Sequence, residues 1–315
     1  MNNTSPITVL IPTWKRLQKF KVALQSLEKQ SLLPDRVVVI SRDIDLETNQ
    51  WLEKNLTLFN YPIEHYQVDQ PGVIHAENEG LKHIKEGIVA FLDDDAEAPP
   101  NWISLIRDEF TDPSIVGVGG PDYIVHEKDR SYPKTCSQVG QLTYFGKVIG
   151  NHHQNILGRR EVSILKGVNM AFRRKELPFL DKALSSEHHL GNGSQWELDL
   201  CLHVQNKGKL IFNPELKVNH YSNHSHFNRY LNQRNNAHNI VYVLMKHFSW
   251  DRKLAYLCYI ILIGNQQNIG LLKFLSLIPR LGVKDSYHLF LNSCIGAFFG
   301  LKTYRKTYRK NLMRV

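Results

Sequence analysis

Residues 88–95 read Ile-Val-Ala-Phe-Leu-Asp-Asp-Asp, an apolar run that ends in three adjacent carboxylates. Short apolar runs of this kind are typical of buried strands in parallel sheets. Similar runs occur earlier in the chain, at Ile7–Ile11, Val37–Ile40 and Ile63–Val68. The chain therefore begins with a series of predicted buried strands, and the acidic cluster follows the fourth of them.

Residues with helical spacing separate these runs. They are Leu17, Phe20, Leu24 and Leu27 after the first run, and Leu81, Ile84 and Ile88 before the fourth. An alternation of strands and helices predicts an α/β fold in which a doubly wound, mostly parallel central sheet is flanked by helices. The chain has 315 residues, of which 42% are hydrophobic and 22% are charged, so disorder, collagen and coiled coil are excluded. This length predicts one large domain with an appendage, or two domains.

The positive charge of the chain is concentrated near its C-terminus. The formal net charge is +9, but residues 233–315 carry 13 Lys and Arg against 2 Asp and Glu, whereas residues 1–232 are net −2. Two apolar stretches in this region, 254–264 and 289–301, are shorter than the ~20 residues of a membrane span, and residues 302–315 hold six basic and no acidic residues. The pattern predicts interfacial amphipathic helices on an anionic membrane surface, and it favours this partner over nucleic acid. An ordinary helical subdomain with solvated lysines is the alternative.

The four cysteines are Cys136, Cys201, Cys258 and Cys294, and they include no C-x-x-C pair. Neither a disulfide framework nor a zinc ribbon is indicated, so a cytoplasmic location is expected. The N-terminal MNNTSP has no charged and apolar regions of a secretory signal.

Asp93, Asp94 and Asp95 lie at the carboxyl end of a predicted strand, where doubly wound sheets bind ligands. Adjacent carboxylates repel one another, and a bound divalent cation is the usual reason to keep them together. A hard cation held by one or two carboxylates leaves positions for substrate phosphates, so the segment predicts Mn²⁺ or Mg²⁺ with a diphosphate. The alternative is a solvated acidic turn before a helix that begins near Asn101.

A second acidic segment is Trp196-Glu197-Leu198-Asp199. On a helix Glu197 and Asp199 point about 200° apart, so only one of them can face a given cleft as a general base. The alternative is a charged first turn that is favoured by the helix dipole.

His220 follows an apolar alternation and could complete an octahedral metal shell with carboxylates and phosphate oxygens. A zinc site with His224 and His226, or a purely structural histidine, are the alternatives.

Several segments occur in the order seen in family 2 glycosyltransferases of the GT-A fold, over roughly residues 5–222. They are IPTWKR (11–16), PGVIHAENEGL leading into IVAFLDDDA (71–96), GVNMAFRR (167–174), WELDLCLHVQNKG (196–208) and NPELKVNHY (213–221). The chain therefore resembles this family, in its bacterial surface-polysaccharide type. The resemblance implies a Rossmann-like glycosyltransferase domain over 1–232, with a nucleotide-binding half (1–100) and an acceptor half (101–232). A helical, basic, membrane-associating region over 233–315 would follow it.

The resemblance also implies roles for single residues. It assigns nucleotide contacts to Pro12, Thr13, Arg16, Asp43, Asp93 and Asp94, metal ligands to Asp95 and His220, and the catalytic base to Glu197. Three positions depart from the family pattern. Trp196 replaces the first acid of the E-D-x-D-L motif, Glu77 replaces the Arg before Asn78, and the acidic loop after the second strand is reduced to SRDID.

Together these inferences predict an inverting, metal-dependent glycosyltransferase, peripheral on the cytoplasmic face of the cell membrane. Its donor would be a nucleotide-diphosphate sugar, and its acceptor a hydroxyl of a glycan or polyprenyl-linked oligosaccharide. Two alternatives stay open. A phosphohydrolase could use Asp93 as nucleophile and Asp95 as acid, and a non-catalytic protein could bind sugar nucleotides or lipids.

Overall fold

The computed structural model describes residues 5–125, 134–185, 193–221 and 228–312 of the chain. The helices are α1 Leu17–Glu28, α2 Leu46–Asn55, α3 Val73–His83, α4 Trp102–Glu109, α5 Trp196–Val204, α6 Arg229–His247, α7 Trp250–Leu262 and α8 Leu271–Leu312. The strands are β1 Ile7–Thr13, β2 Arg36–Arg42, β3 Ile63–Val68, β4 Ile88–Leu92, β5 Ala96–Glu97, β6 Ile115–Gly119, β7 Asp122–Ile124, β8 Thr135–Cys136, β9 Gln141–Leu142, β10 Val148–Ile149, β11 Asn155–Ile156, β12 Arg160–Glu161, β13 Asn169–Arg173, β14 Lys209–Phe212 and β15 Val218–His220.

Contacts between residues divide the chain into two compact units. The first comprises Met1–Gln141, Ile149–Lys182 and Leu200–Asn223, and the second comprises Leu142–Val148, Ala183–Asp199 and His224–Val315. The division of the sequence at about residue 232 stays a prediction.

An eight-stranded sheet, in the order β12-β14-β6-β13-β4-β1-β2-β3, forms the centre of the first unit. β1 is parallel to β2 and β4, β2 is parallel to β3, and β14 is parallel to β6. β13 runs antiparallel between β4 and β6, and β12 is antiparallel to β14. The predicted mostly parallel α/β sheet is confirmed, and all four predicted N-terminal strands are present.

Helices cover both faces of this sheet because side chains of a strand alternate between its two faces. Phe20 of α1 and Trp102 of α4 are fully buried in one cluster with Val9 and Ile11 of β1. On the other face, Gly80 of α3 approaches Leu10 so closely that an added Cβ would lie 2.2 Å from its Cδ1.

The helix predictions are confirmed in part. The spacing of Leu17 to Leu27 predicts α1, but α3 ends at His83, and Ile88 belongs to β4. The sequence gives no signal for α2, because its buried face consists of Thr48, Asn49 and Leu52 rather than an apolar stripe.

In the second unit α6 packs closely against α8. An added Cβ on Gly296 would lie 2.2 Å from the carbonyl oxygen of Arg234, and one on Gly300 would lie 2.5 Å from that of His238. α8 is interrupted at Gly282, whose φ of 78° favours glycine. The rings of Phe274 and Phe290 lie 5.2 Å apart, so the parts before and after Gly282 fold back on each other as a helical hairpin.

The predicted C-terminal helices are therefore present. Across the residues that the structure describes, we find no helix with the length and apolarity needed to cross a bilayer.

Candidate metal centre

The acidic segment and His220 meet through a small second sheet in the first unit. Asp93–Asp95 connect β4 of the central sheet to β5, and β15 pairs with β5 so that His220 lies opposite Ala96. The Tyr221 amide donates a hydrogen bond to the Asp95 carbonyl oxygen at 2.8 Å. Backbone pairing thus places His220 next to the carboxyl end of β4, although the two are far apart in sequence.

Asp93, Asp95 and His220 form a group that could hold a metal ion. One ligand atom from each residue lies within 4.8 Å of the other two. His220 Nε2 is 3.2 Å from Asp95 Oδ1, yet within the described chain this buried carboxylate oxygen has no hydrogen-bond partner. A buried carboxylate oxygen and an imidazole nitrogen that converge in this way match the ligands of a hard divalent cation.

Asp122, at the start of β7, lies on the other side of the His220 ring. Its Oδ2 is 3.6 Å from His220 Nδ1, and the Asp122 carboxylate is buried. A carboxylate beside the outer nitrogen of a ligating histidine commonly fixes the ring orientation and raises the basicity of the inner nitrogen. Asp122 is not among the predicted site residues, because the segment Gly-Gly-Pro-Asp has no distinctive signal for this role.

Two cations lie at the same carboxylates. Arg16 Nη1 contacts Asp94 Oδ1 at 3.0 Å and Asp95 Oδ2 at 2.9 Å, and Lys19 Nζ lies 4.0 Å from Asp95 Oδ2. The Lys19 ammonium also donates to the Tyr221 carbonyl oxygen. Half of the Arg16 side chain is exposed, so its guanidinium borders solvent while it neutralises the acidic group.

Asp94 faces the loop between β1 and α1 instead of the group that could bind a metal. Its Oδ2 accepts hydrogen bonds from Thr13 Oγ1 at 2.9 Å and from the Trp14 amide at 3.3 Å. Asp94 therefore holds in place the loop that carries Arg16.

Burial and neighbouring charges shift the pKa values of the groups at this site. Burial and the neighbouring Asp95 raise the pKa of Asp93 to about 7. Burial also raises the pKa of Asp94 to about 6, against the lowering effect of Arg16. For His220, burial lowers the pKa, but the adjacent carboxylates of Asp122 and Asp95 outweigh it and raise the pKa to about 9. The site therefore favours an additional positive charge.

The other residues with predicted nucleotide contacts lie at the carboxyl ends of β1 and β2. Pro12 is partly buried in β1, and the Asp43 carboxylate, which follows β2, is 44% exposed and lies 3.5 Å from Arg42 Nε. Trp14, between these strands, is 38% exposed and has the Arg42 guanidinium 5.3 Å from its ring centroid. β1 and β2 are adjacent and parallel, so their ends share one edge of the sheet.

Glu77, which replaces the family's arginine, is 1% exposed in α3. Among the described residues its Oε2 has no hydrogen-bond partner. Burial, and secondarily the charge of Asp93, raises the pKa of Glu77 well above its ordinary value. Glu77 therefore cannot pair with a phosphate as the arginine of the family would at this position.

Glu197 and Asp199 both belong to the second unit, and they differ in their surroundings. Asp199 is buried and accepts hydrogen bonds from Lys246 Nζ at 3.0 Å and His247 Nε2 at 2.7 Å. Asp199 thus ties α5 to α6 and is occupied by two basic groups. Glu197 lies in the first turn of the same helix and is partly buried.

His224 and His226, which the alternative zinc site requires, lie outside the described residues. Parts of the segments 120–165 and 181–195 also lie outside the described residues.

Residues 8–177 match the sequence model of Glycosyl transferase family 2. A similar protein is the glucosyl-dolichyl phosphate glucuronosyltransferase of Haloferax volcanii, which is 23% identical over 229 residues, 68% of this chain and 68% of that protein.

Two solved structures share the fold. GalNAc-T7 with UDP, GalNAc and Mn²⁺ is 16% identical and superposes with a TM-score of 0.63 over 92% of this chain, which spans 59% of the length of that protein. The mannosyltransferase PcManGT from Pyrobaculum calidifontis in complex with GDP-Man and Mn²⁺ is 13% identical, with a TM-score of 0.57 over 99% of this chain and 88% of the other. Since the family match extends over more than half of the sequence, this chain belongs to Glycosyl transferase family 2.

Proposed function

We propose that this chain transfers a sugar from a nucleotide-diphosphate donor to an acceptor hydroxyl, with inversion at the anomeric carbon. The observation that carries the proposal is the group formed by Asp93, Asp95 and His220 at the carboxyl end of β4, beside Arg16. In doubly wound sheets this is the edge at which ligands bind. Family membership and the named ligands of the two similar structures agree with a nucleotide-sugar donor.

Donor binding in this proposal rests on the first unit. Asp93, Asp95 and His220 would hold Mn²⁺ or Mg²⁺, which would neutralise charge that grows on the departing diphosphate. Arg16 and Lys19 border the same carboxylates and are available to pair with phosphate oxygens. Asp94 and Thr13 hold the loop that carries Arg16, and the exposed Asp43 contacts the base or ribose.

Glu197 is the proposed catalytic base. It removes the proton from the acceptor hydroxyl as that oxygen attacks the anomeric carbon from the face opposite the leaving diphosphate. The occupation of Asp199 by Lys246 and His247 supports this choice over Asp199.

The proposed acceptor is a glycan or a polyprenyl-linked oligosaccharide at the cytoplasmic face of the cell membrane. The Haloferax volcanii relative is a glucosyl-dolichyl phosphate glucuronosyltransferase, and its dolichyl-linked substrate agrees with a lipid-linked acceptor. The net charge of +11 over residues 233–315 supports a location on anionic lipid.

The test is to incubate the protein with a panel of UDP-sugars and GDP-sugars and to follow release of the nucleotide diphosphate. We expect release that requires Mn²⁺ or Mg²⁺ with at least one donor, since slow donor hydrolysis does not need the natural acceptor. Release of inorganic phosphate from simple phosphate esters, without any release of nucleotide diphosphate, would instead favour the phosphohydrolase.

Glu197→Gln separates catalysis from binding. This variant should bind the intact nucleotide sugar, the one that the unaltered protein hydrolyses, as tightly as the unaltered protein does. It should lose sugar transfer, because an amide cannot accept the proton. If Glu197→Gln transfers sugar at the original rate, Glu197 is not the base. If neither protein releases nucleotide diphosphate although both bind donors, the non-catalytic alternative is favoured.

A further inference from the structure

An apolar stripe runs along the exposed side of α7. Trp250 is 82% exposed, Leu254 66% and Ile261 64%, whereas Tyr256 and Ile260 are buried on the opposite side of the helix. Residues spaced by four and then seven positions lie on one helix face. Large apolar side chains therefore occupy both the buried side and the exposed side of α7.

The first part of α8 continues this stripe. Leu272 is 57% exposed and Leu275 50%, and no residue in the described segment 271–285 is buried. The Lys273 amide donates to the Ile263 carbonyl oxygen at 2.9 Å, which brings the start of α8 against the end of α7. The two exposed stripes are thus neighbours. We call the group formed by Trp250, Leu254, Ile261, Leu262, Leu272 and Leu275 the apolar surface.

Basic residues accompany the apolar surface. Between residues 250 and 284 the chain has five Lys and Arg and one Asp. The acidic residue is Asp251, whose carboxylate accepts a hydrogen bond from Tyr144 Oη at 2.7 Å. The basic residues are Arg252, Lys253, Lys273, Arg280 and Lys284.

Exposed aromatic rings lie beside α7. Tyr144 is 50% and Phe145 51% exposed, and the ring of Phe145 stacks with that of Tyr259 of α7 at 6.2 Å. Exposed aromatic and aliphatic side chains together with Lys and Arg are the composition of helices that lie in a membrane interface.

We infer that the apolar surface inserts into the headgroup region of a bilayer that contains anionic lipid, with α7 and the first part of α8 lying in the membrane plane. The positive charge of this region favours an anionic membrane over a second copy of the chain as the partner of the apolar surface. Pairing the surface with its counterpart on a second copy would bring net positive segments together, whereas anionic headgroups are complementary to them. The inference deepens the proposed function by specifying how the enzyme meets a membrane-bound acceptor. The anchor is the apolar surface, and the basic residues after 302 add long-range attraction.

The test uses the full chain in a vesicle flotation assay, without metal or nucleotide sugar. Vesicles of phosphatidylcholine with phosphatidylglycerol are compared with vesicles of phosphatidylcholine alone. The double variant Leu262→Glu/Leu272→Glu should reduce the partition coefficient on the mixed vesicles by at least about tenfold, because it removes two apolar groups and adds two negative charges. The matched control is Leu46→Glu/Leu58→Glu, which makes the same change at residues of the first unit that are 66% and 71% exposed. It should bind as the unaltered chain does.

A second readout is the quenching of tryptophan fluorescence by brominated phosphatidylcholine in the mixed vesicles. Quenching should fall when Trp250 is replaced by Phe, since Trp250 is the exposed tryptophan of the apolar surface. Equal vesicle binding by the two double variants, or quenching that Trp250→Phe leaves unchanged, would overturn the inference. Equal binding of the unaltered chain to both vesicle types would overturn the role of anionic lipid. Because no donor is present, these outcomes are independent of whether the glycosyl transfer assay succeeds.

Discussion

Asp94 and Asp95 are neighbours in the sequence, but their carboxylates serve different parts of the first unit. Asp94 bonds to Thr13 and to the Trp14 amide, whereas Asp95 Oδ1 faces His220. Successive side chains near a strand end point in opposite directions. The sequence predicts an acidic cluster at this sheet edge, but it does not determine which carboxylate fixes the loop and which faces His220.

Only part of the candidate centre could be predicted from the sequence. Asp93 and Asp95 follow from an apolar run that ends in carboxylates, and His220 follows from its place after an apolar alternation and from the family resemblance. Asp122 was not predictable, because its place beside His220 depends on the pairing of β15 with β7 rather than on any local pattern.

Glu77 gives a prediction about the pH dependence of stability. Burial raises its pKa in the folded protein, so between its ordinary pKa and the folded value the unfolded chain loses a proton that the folded chain keeps. The wild-type free energy of unfolding therefore falls as pH rises through this interval. Glu77→Gln does not titrate and should be more stable than the unaltered protein at pH 7. The two proteins should converge near pH 4.

Urea denaturation at a series of pH values measures this difference. Glu86→Gln, an exposed position in the first unit, serves as the control and should show no such trend. A Glu77→Gln variant that is less stable than wild type at every pH would mean that the buried carboxyl group makes a specific favourable contact.

At the scale of elements, strands were more predictable than helices. β4 is an uninterrupted apolar run because both faces of the strand are buried, and its predicted bounds agree with the structure. α2 and α3 bury polar residues such as Asn49 and Asn78, whose side chains bond to backbone groups, so no apolar period marks α2 and only the last turn of α3 carries one. Polar residues buried for tertiary hydrogen bonds are not distinguishable from surface residues by periodicity.

The ion pairs of Asp199 connect α5 to α6, so we expect their loss to lower the free energy of unfolding. Asp199→Asn removes the negative charge shared by Lys246 and His247 in a partly buried site, so the free energy of unfolding should fall by about 2 kcal/mol. Asp108→Asn, at an exposed position of α4, is the control and should change it by less than about 0.5 kcal/mol. Equal denaturation curves for Asp199→Asn and wild type would show that this ion-pair group contributes little.

Gly120 lies just before β7, where the chain passes close to the segment that leads into β15, so we expect a larger residue at this position to displace both strands. An added Cβ would lie 2.1 Å from the Leu216 carbonyl oxygen, and because this is a backbone atom it cannot move without shifting the chain that leads to His220. Gly120→Ala should lower the free energy of unfolding by about 3 kcal/mol and weaken Mn²⁺ binding.

Gly150→Ala is the matched control, because the nearest atom to its added Cβ is His152 Nδ1 at 3.9 Å. Urea denaturation and Mn²⁺ titration should leave this variant close to wild type. If the two alanine variants behave alike, the close approach at Gly120 does not constrain β15.

At the scale of the whole molecule, the charge of the chain separates by region. Residues 1–232 are net −2 and include the carboxylates of the candidate centre, whereas residues 233–315 are net +11 and include the helices with exposed apolar side chains. The sequence indicates this separation directly. The reversal of α8 at Gly282 is not among the predictions made from the sequence, and the backbone angle of Gly282 together with the contact between the rings of Phe274 and Phe290 reveals it.

The central claim is that Asp93, Asp95 and His220 hold a divalent cation to which the donor diphosphate binds. Isothermal titration calorimetry of UDP and GDP, with and without Mn²⁺, tests it most directly when Asp95→Asn is compared with wild type. Thermal unfolding provides a check that the variant is folded. The account predicts that wild type binds at least one nucleotide tightly only in the presence of Mn²⁺ and that Asp95→Asn loses this dependence together with the binding. Undiminished Mn²⁺-dependent binding of the nucleotide by folded Asp95→Asn would contradict the account.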